Sequence, residues 1–252
     1  MEAKYNRKEV NSRYRNRIKS NLLLLILISF IVAATIFLAI KPTIKNWIIT
    51  SIPTDKEILQ GIDVSNHQGK IIWKDIDQSL VNFVFIKATE GTTFTDKSFA
   101  KNWQASQEAG FLVGAYHYFN IISDGKKQAE HFISVVPKEK NTLPPVIDIE
   151  EVGENQAKLI VELREYAEAI EAHYGIKPIF YVNKKTYELY IRDYFKDYLI
   201  WYAVYNTQPP TVNWTFWQYT DNGSVSGIKG PVDFNNFKGN KTDIMLLTNH
   251  GE

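Results

Sequence analysis

The chain has 252 residues, 44% of them hydrophobic and 13% aromatic, which suits one substantial folded core plus an appendage. It contains no cysteine, so disulfide frameworks, zinc–thiolate sites and cysteine nucleophiles are excluded. The net charge of +1 hides an asymmetry: residues 1–20 carry seven basic and two acidic side chains, a net +5, and the rest is left at +1 − 5 = −4, the wrong sign for a nucleic-acid footprint.

Residues 22–40 (LLLLILISFIVAATIFLAI) form a nineteen-residue run without a charge, in which only Ser29 and Thr35 have polar side chains. A helix needs about 20 residues at 1.5 Å each to cross the hydrocarbon core. With the basic flank held inside, the body is expected outside, in a single-pass topology. A cleaved signal peptide, leaving a secreted body, is the alternative. Its apolar core is usually shorter, roughly 7–15 residues, so length favours an uncleaved anchor. The expected plan is a basic cytoplasmic tail at 1–20, a transmembrane anchor at 21–40, a stalk at 41–58 broken by Pro42 and Pro53, and a folded domain at 59–248.

Within that domain strand-like and helix-like runs alternate. Residues 61–64 read as a strand and 73–80 as a short helix. The run 83–87 (FVFIK) is a strand apolar on both faces. Asp96 is placed to cap a helix reaching Ala109 and stopped by Gly110. Residues 111–117 are a strand, 126–136 a helix, and 145–150 a strand. The segment 154–174 is the longest helix, with Leu163, Ala167, Ile170 and Tyr174 along one face and Gly175 as its stop. Then come a strand at 178–182, a helix at 184–191 and strands at 198–203, 215–219 and 232–234. About eight strands, with helices between the first six, argue a parallel sheet closed into an α/β barrel.

The stretch LPPVIDIE (143–150) carries the chemistry. Pro144 and Pro145 block a helical start, and Val146, Ile147 and Ile149 favour a strand. Alternation places Asp148 and Glu150 on one face, about 6–7 Å apart along the backbone. Two neighbouring acids repel, so one holds its proton more tightly, the raw material for glycosidic cleavage. Other polar or aromatic residues fall at expected strand ends: Asp63, Lys87 with Glu90, His117, Tyr181, Trp201 with Tyr202, Gln218 and Asp233. Active sites of such barrels form at that carboxyl face. The five histidines show no metal-ligand spacing, and no metal or other cofactor is expected.

The motifs GIDVSNHQG, FVFIKATEG, GAYHYF, PVIDIE, FYVN, IWYAVY, FWQYT and PVDFN, in this order, resemble the family 25 glycoside hydrolases, the Chalaropsis-type lysozymes or N-acetylmuramidases. The resemblance implies an irregular, TIM-barrel-like (β/α) barrel. It also implies hydrolysis of the β-1,4 bond between N-acetylmuramic acid and N-acetylglucosamine in peptidoglycan glycan strands. By that pattern Glu150 is the proton donor, Asp148 its ionised partner, and Asp63 and Asp233 line the floor. Tyr116, Tyr181, Trp201, Tyr202, Gln218 and Glu90 are candidates for holding sugars. The chain is expected to act as a monomer. Hydrolysis of another N-acetylated glycan such as chitin, or a non-catalytic grip on the wall, are the alternatives.

Overall fold

Nine strands join one sheet in the computed structural model, which describes residues 58–205 and 208–248. The expected tail and anchor, and nearly all of the stalk, lie outside the described residues. Among the described residues no helix is long and apolar enough to cross a membrane. The strands are β1 (Gln60–Val64), β2 (Phe83–Glu90), β3 (Phe94–Thr95), β4 (Leu112–Tyr118), β5 (Val146–Ile149), β6 (Ile179–Asn183), β7 (Ile200–Ala203), β8 (Phe216–Gly223) and β9 (Val232–Phe237). The helices are α1 (Phe99–Glu108), α2 (Gly125–Val135), α3 (Gln156–Tyr174), α4 (Lys184–Thr186), which continues as a π turn over Tyr187–Ile191, and α5 (Lys241–Leu246).

Pairing between β1 and β2 closes eight of the strands into a barrel, with β3 a short appendage on β2. Neighbours from β1 to β8 around the barrel are parallel, but β9 runs antiparallel to both β8 and β1. The barrel is therefore mixed where the alternation of elements predicts a parallel one. The cause lies in the last connection: no helix separates β8 from β9, so no crossover returns the chain to the start of a parallel strand.

Two local expectations fail for one reason, the competition of short polar side chains for the backbone. Residues 73–80 form no α-helix: a 3-10 turn covers Trp73–Asp75, and Asp77 then accepts from the Ser79 N–H at 2.8 Å in a turn of its own. Asp96 is not the helix cap. Its Oδ1 accepts from Ser98 N at 2.8 Å and its Oδ2 accepts from Asn66 N and Nδ2 at 2.9 and 2.8 Å, so this buried carboxylate ties the loop after β1 to the start of α1. The long helix holds, capped by Asn155 on Lys158 N and ended by Gly175 in the left-handed conformation (φ 77°).

Period-two alternation divides the apolar residues into two layers. Ile62, Val84, Ile86, Val113, Ile147, Ile149, Phe180 and Val182 face outward, against the helices. Phe83, Phe85, Val146, Ile179, Trp201, Phe216 and Phe237 face inward and fill the barrel. Phe85 stacks on Trp201 with centroids 4.6 Å apart and meets Phe216 edge-on at 5.3 Å. Glycines make room for these rings. A Cβ on Gly114 would lie 2.6 Å from the Phe85 ring, and one on Gly61 would fall on the ring of Phe83. Large rings beside missing side chains are how a narrow barrel reaches interior packing density.

Phe85→Ala is expected to cost about 3–5 kcal/mol, because the ring is fully buried among three other aromatics that do not collapse into its space. Urea unfolding checks this, and a loss under about 1 kcal/mol would show that the barrel interior repacks.

Candidate active site

The same alternation that fills the barrel delivers polar groups to its mouth. On β5 the inward series is Val146, Asp148 and then Glu150, the first residue past the strand. On β1 it is Gly61 and Asp63; on β6, Ile179 and Tyr181; on β7, Trp201; on β8, Phe216 and Gln218. The antiparallel β9 starts at the mouth, which sets Asp233 directly opposite Asp63. These residues surround a cleft of about 180 Å³ at the C-terminal ends of the parallel strands. All four predicted acids line it: Asp63, Asp148, Glu150 and Asp233. So do Tyr116, Tyr181, Trp201 and Gln218.

Two candidates for holding sugars fall elsewhere. Tyr202 has the opposite parity to Trp201 and points out of the barrel, where its ring meets Tyr187 edge-on at 5.5 Å. Glu90 ends β2 bound to Lys87, with Oε2 2.8 Å from Nζ, and does not line the cleft. His117 also faces outward. It is fully buried between Thr89 Oγ1 (2.7 Å) and Gln128 Oε1 (3.2 Å), stacked on Tyr166, and burial pulls its pKa down to about 3, so it is a neutral pin between sheet and helix.

Three residues at the mouth were not singled out from the sequence. Tyr205 and Asp221 line the cleft, and Asn235 supports its floor. Tyr205 was within reach of the alternation, since it lies two steps of two beyond Trp201. Asn235 carries the same parity as Asp233 and pairs with Gly61. Asp221 follows a register shift in β8, which breaks simple parity.

The floor is a connected polar layer. Tyr181 and Tyr205 donate their hydroxyls to Gln218 Oε1 at 2.8 and 3.0 Å, and Gln218 Nε2 donates to Asp63 Oδ2 at 3.0 Å. Trp201 Nε1 donates to Asn235 Oδ1 at 2.7 Å, and Asn235 Nδ2 donates to the same Asp63 oxygen at 2.8 Å. Asp148 sits deeper than Glu150: it is 5% exposed, and its buried Oδ1 has no hydrogen-bond partner among the described residues.

Four of the carboxyls around the cleft, Asp63, Asp148, Glu150 and Asp233, are raised, first by desolvation and then by neighbouring carboxylates. Burial, then the Glu150 charge, hold Asp148 well above the usual carboxylate range. Partial desolvation raises Glu150, with Asp233 and Glu151 adding to the effect. The Lys87 ammonium pulls both back. Burial and the charge of Asp63 push Asp233 up to about 8. The sequence expectation had Glu150 protonated beside an ionised Asp148. In the protein alone both are raised, and the more deeply buried Asp148 is pushed well above its ordinary value.

A raised carboxyl binds its proton more tightly folded than unfolded. The stability Asp148 contributes is therefore complete below its ordinary value of 3.8 and is lost as pH rises through its folded value. Asp148→Asn, which never ionises, is expected to unfold at a higher temperature than the parent at pH 8, with the gap closing toward pH 4. Thermal unfolding across that range is the check; a gap that does not change with pH would contradict the assignment.

Residues 62–228 match Glycosyl hydrolases family 25. The chain is 39% identical to protein YegX of Escherichia coli (strain K12) over 198 residues, 75% of this chain and 73% of that protein. It is 31% identical to Lysozyme M1 of Streptomyces globisporus over 217 residues, 79% and 74% of the two chains. The solved structure of a family 25 glycosyl hydrolase from Bacillus anthracis superposes with a TM-score of 0.71 at 39% identity, over 77% of this chain and 94% of that one. The family match runs from β1 through β8, and on it the chain belongs to glycosyl hydrolases family 25 and is a glycoside hydrolase.

Proposed function

We propose that the enzyme is a peptidoglycan muramidase that cuts the β-1,4 bond between N-acetylmuramic acid and N-acetylglucosamine. The observation that carries this reading is the unequal acid pair of β5: an exposed Glu150 above a buried Asp148 whose Oδ1 has no partner. An orphaned buried acceptor beside a proton donor suits a sugar that brings its own N–H. The name of the relative Lysozyme M1 supports the same substrate class.

In this reading the acetamido N–H of the sugar donates to Asp148 Oδ1. That contact stabilises the carboxylate and lowers its pKa from the raised value of the protein alone. Asp148 then orients the amide so that its carbonyl oxygen attacks the anomeric carbon. Glu150 gives its proton to the departing glycosidic oxygen as the carbon–oxygen bond breaks. The carboxylate left on Glu150 takes a proton from water, whose oxygen attacks the same carbon and reopens the cyclic intermediate. Two displacements return the original anomeric configuration. A second chamber of about 200 Å³, bounded by Glu150, Tyr181, Asn183, Ala203, Val204 and Tyr205, adjoins the first. Glu150 belongs to both chambers, which suits a donor placed between two sugars.

Glu150→Gln keeps the size and removes the proton, so turnover of peptidoglycan should fall about 10²–10⁴-fold with the fold intact. Activity on cell-wall glycan and on chitin oligomers, with mass analysis of the ends released, tests the substrate. Release of N-acetylmuramic acid reducing ends supports the reading; cleavage of chitin alone would move the enzyme to its alternative, and parent-like turnover by Glu150→Gln would remove Glu150 from the acid role.

We also infer a monomer anchored by residues 22–40, with the tail inside and the enzyme outside, where peptidoglycan lies. The stalk, if extended at roughly 3.3 Å per residue, gives a reach of up to about 60 Å. External protease on spheroplasts should digest the domain, and the mature protein should keep its full mass. A protected domain would reverse the topology, and a mature N-terminus beyond residue 40 would make the segment a cleaved signal.

A further inference from the structure

Asp63 and Asp233 face each other across β1 and β9, yet their surroundings are unequal. Asp63 Oδ2 receives two side-chain amides, from Gln218 Nε2 and Asn235 Nδ2. The Asn235 amide is not free to turn over. An indole N–H can only donate, so the Trp201 contact holds the oxygen of Asn235 toward the ring and its amino group toward Asp63. The oxygen of Gln218 is occupied by two tyrosine hydroxyls. With two N–H donors aimed at it, Asp63 Oδ2 must accept. Among the described residues no side-chain amide is bonded to Asp233, which lies opposite Asp63 in the strand register.

We propose that Gln218 and Asn235 are positioning residues that decide where the proton of this acid pair resides: the amides hold Asp63 as the acceptor, and Asp233 keeps the proton and donates it toward Asp63. The pair then carries one negative charge at the working site instead of two. A second charge there would make Glu150 hold its proton more tightly, since Asp233 acts on it directly. Burial raises Asp63 above its ordinary value and the Asn235 and Gln218 amides, with Asp233, oppose that rise, while burial and the charge of Asp63 push Asp233 up to about 8. The other titratable groups facing the pair are Tyr116 on β4, Asp148 and Glu150 on β5, Tyr181 on β6, Tyr205 after β7 and Asp221 on β8. None supplies a positive charge, so the amides are the counterweight to burial. The catalytic consequence rests on the muramidase reading, whereas the placement of the proton does not.

The test is a carboxyl carbon NMR titration of the full-length chain labelled at aspartate, assigned with the Asp63→Asn and Asp233→Asn chains. In the parent, Asp233 should be the member that keeps its proton to about pH 8. Gln218→Met, which keeps the length and removes the donor, and Asn235→Ser should each raise both apparent pKa values of the pair by about one pH unit, the worth of a hydrogen bond to a charged group. The limbs of the kcat/KM profile should move in the same direction; a merely structural role would lower turnover at every pH with the limbs in place. Retention of the proton by Asp63 in the parent would overturn the proposal, whatever the variants do. An unchanged titration in either folded variant would overturn it too. A titration as expected in a chain inactive on peptidoglycan would overturn the substrate reading and leave the proton placement standing.

Discussion

The site depends on barrel closure through an antiparallel last strand. β9 lies between β8 and β1 and runs against both, so its first residues, not its last, reach the mouth. That reversal brings Asp233 opposite Asp63 and Asn235 opposite Gly61. A parallel strand in the same place would send Asp233 to the closed end and leave Asp63 without either partner. The aromatic interior secures this closure: Phe216 of β8 meets Phe83 and Phe85 of β2 across the barrel and Phe237 of β9 beside it.

The mouth is built against electrostatic comfort. Asp63 and Asp148 are buried, Asp233 faces Asp63, and Lys87, which is drawn toward Glu90, pulls both acids of β5 back toward ionisation. Crowded carboxyls destabilise a fold and are retained where their raised proton affinity is useful. The arrangement also separates the acids by surroundings: amides fix Asp63, depth isolates Asp148, and solvent reaches Glu150. Three environments in one cleft give identical functional groups different proton affinities.

Much of this was legible in the sequence because strand alternation is a strict rule. The PVIDIE stretch alone predicts that Asp148 and Glu150 share a face, and the structure places both on the cleft. The same rule, applied to IWYAVY, rejects Tyr202 and selects Tyr205, which lines the cleft. Other features were hidden for physical reasons. Nothing local announces that β9 is antiparallel, since direction follows from how the chain returns after β8. The role of Asp96 depends on Asn66, thirty residues earlier in the chain, and a carboxylate before a helix resembles a cap wherever its partner lies. The register shifts in β8 displace Asp221 from any simple count.

The reversed strand also settles where the barrel's two ends lie. β1 starts and β9 finishes at the closed end, with Gln60 in register with Asn236. A short helix, α5, follows β9 and packs Ile244 under the same aromatic core. In an eight-fold parallel barrel the last strand would finish at the open end, and a further helix would be needed to bring the chain back. Here a hairpin does that work in fewer residues. Head and tail of the domain thus meet on the side away from the cleft, the geometry that tolerates circular permutation and fusion. A permuted chain joined there and opened in the loop between β8 and β9 would test whether the fold needs its natural order of synthesis or only its final neighbours.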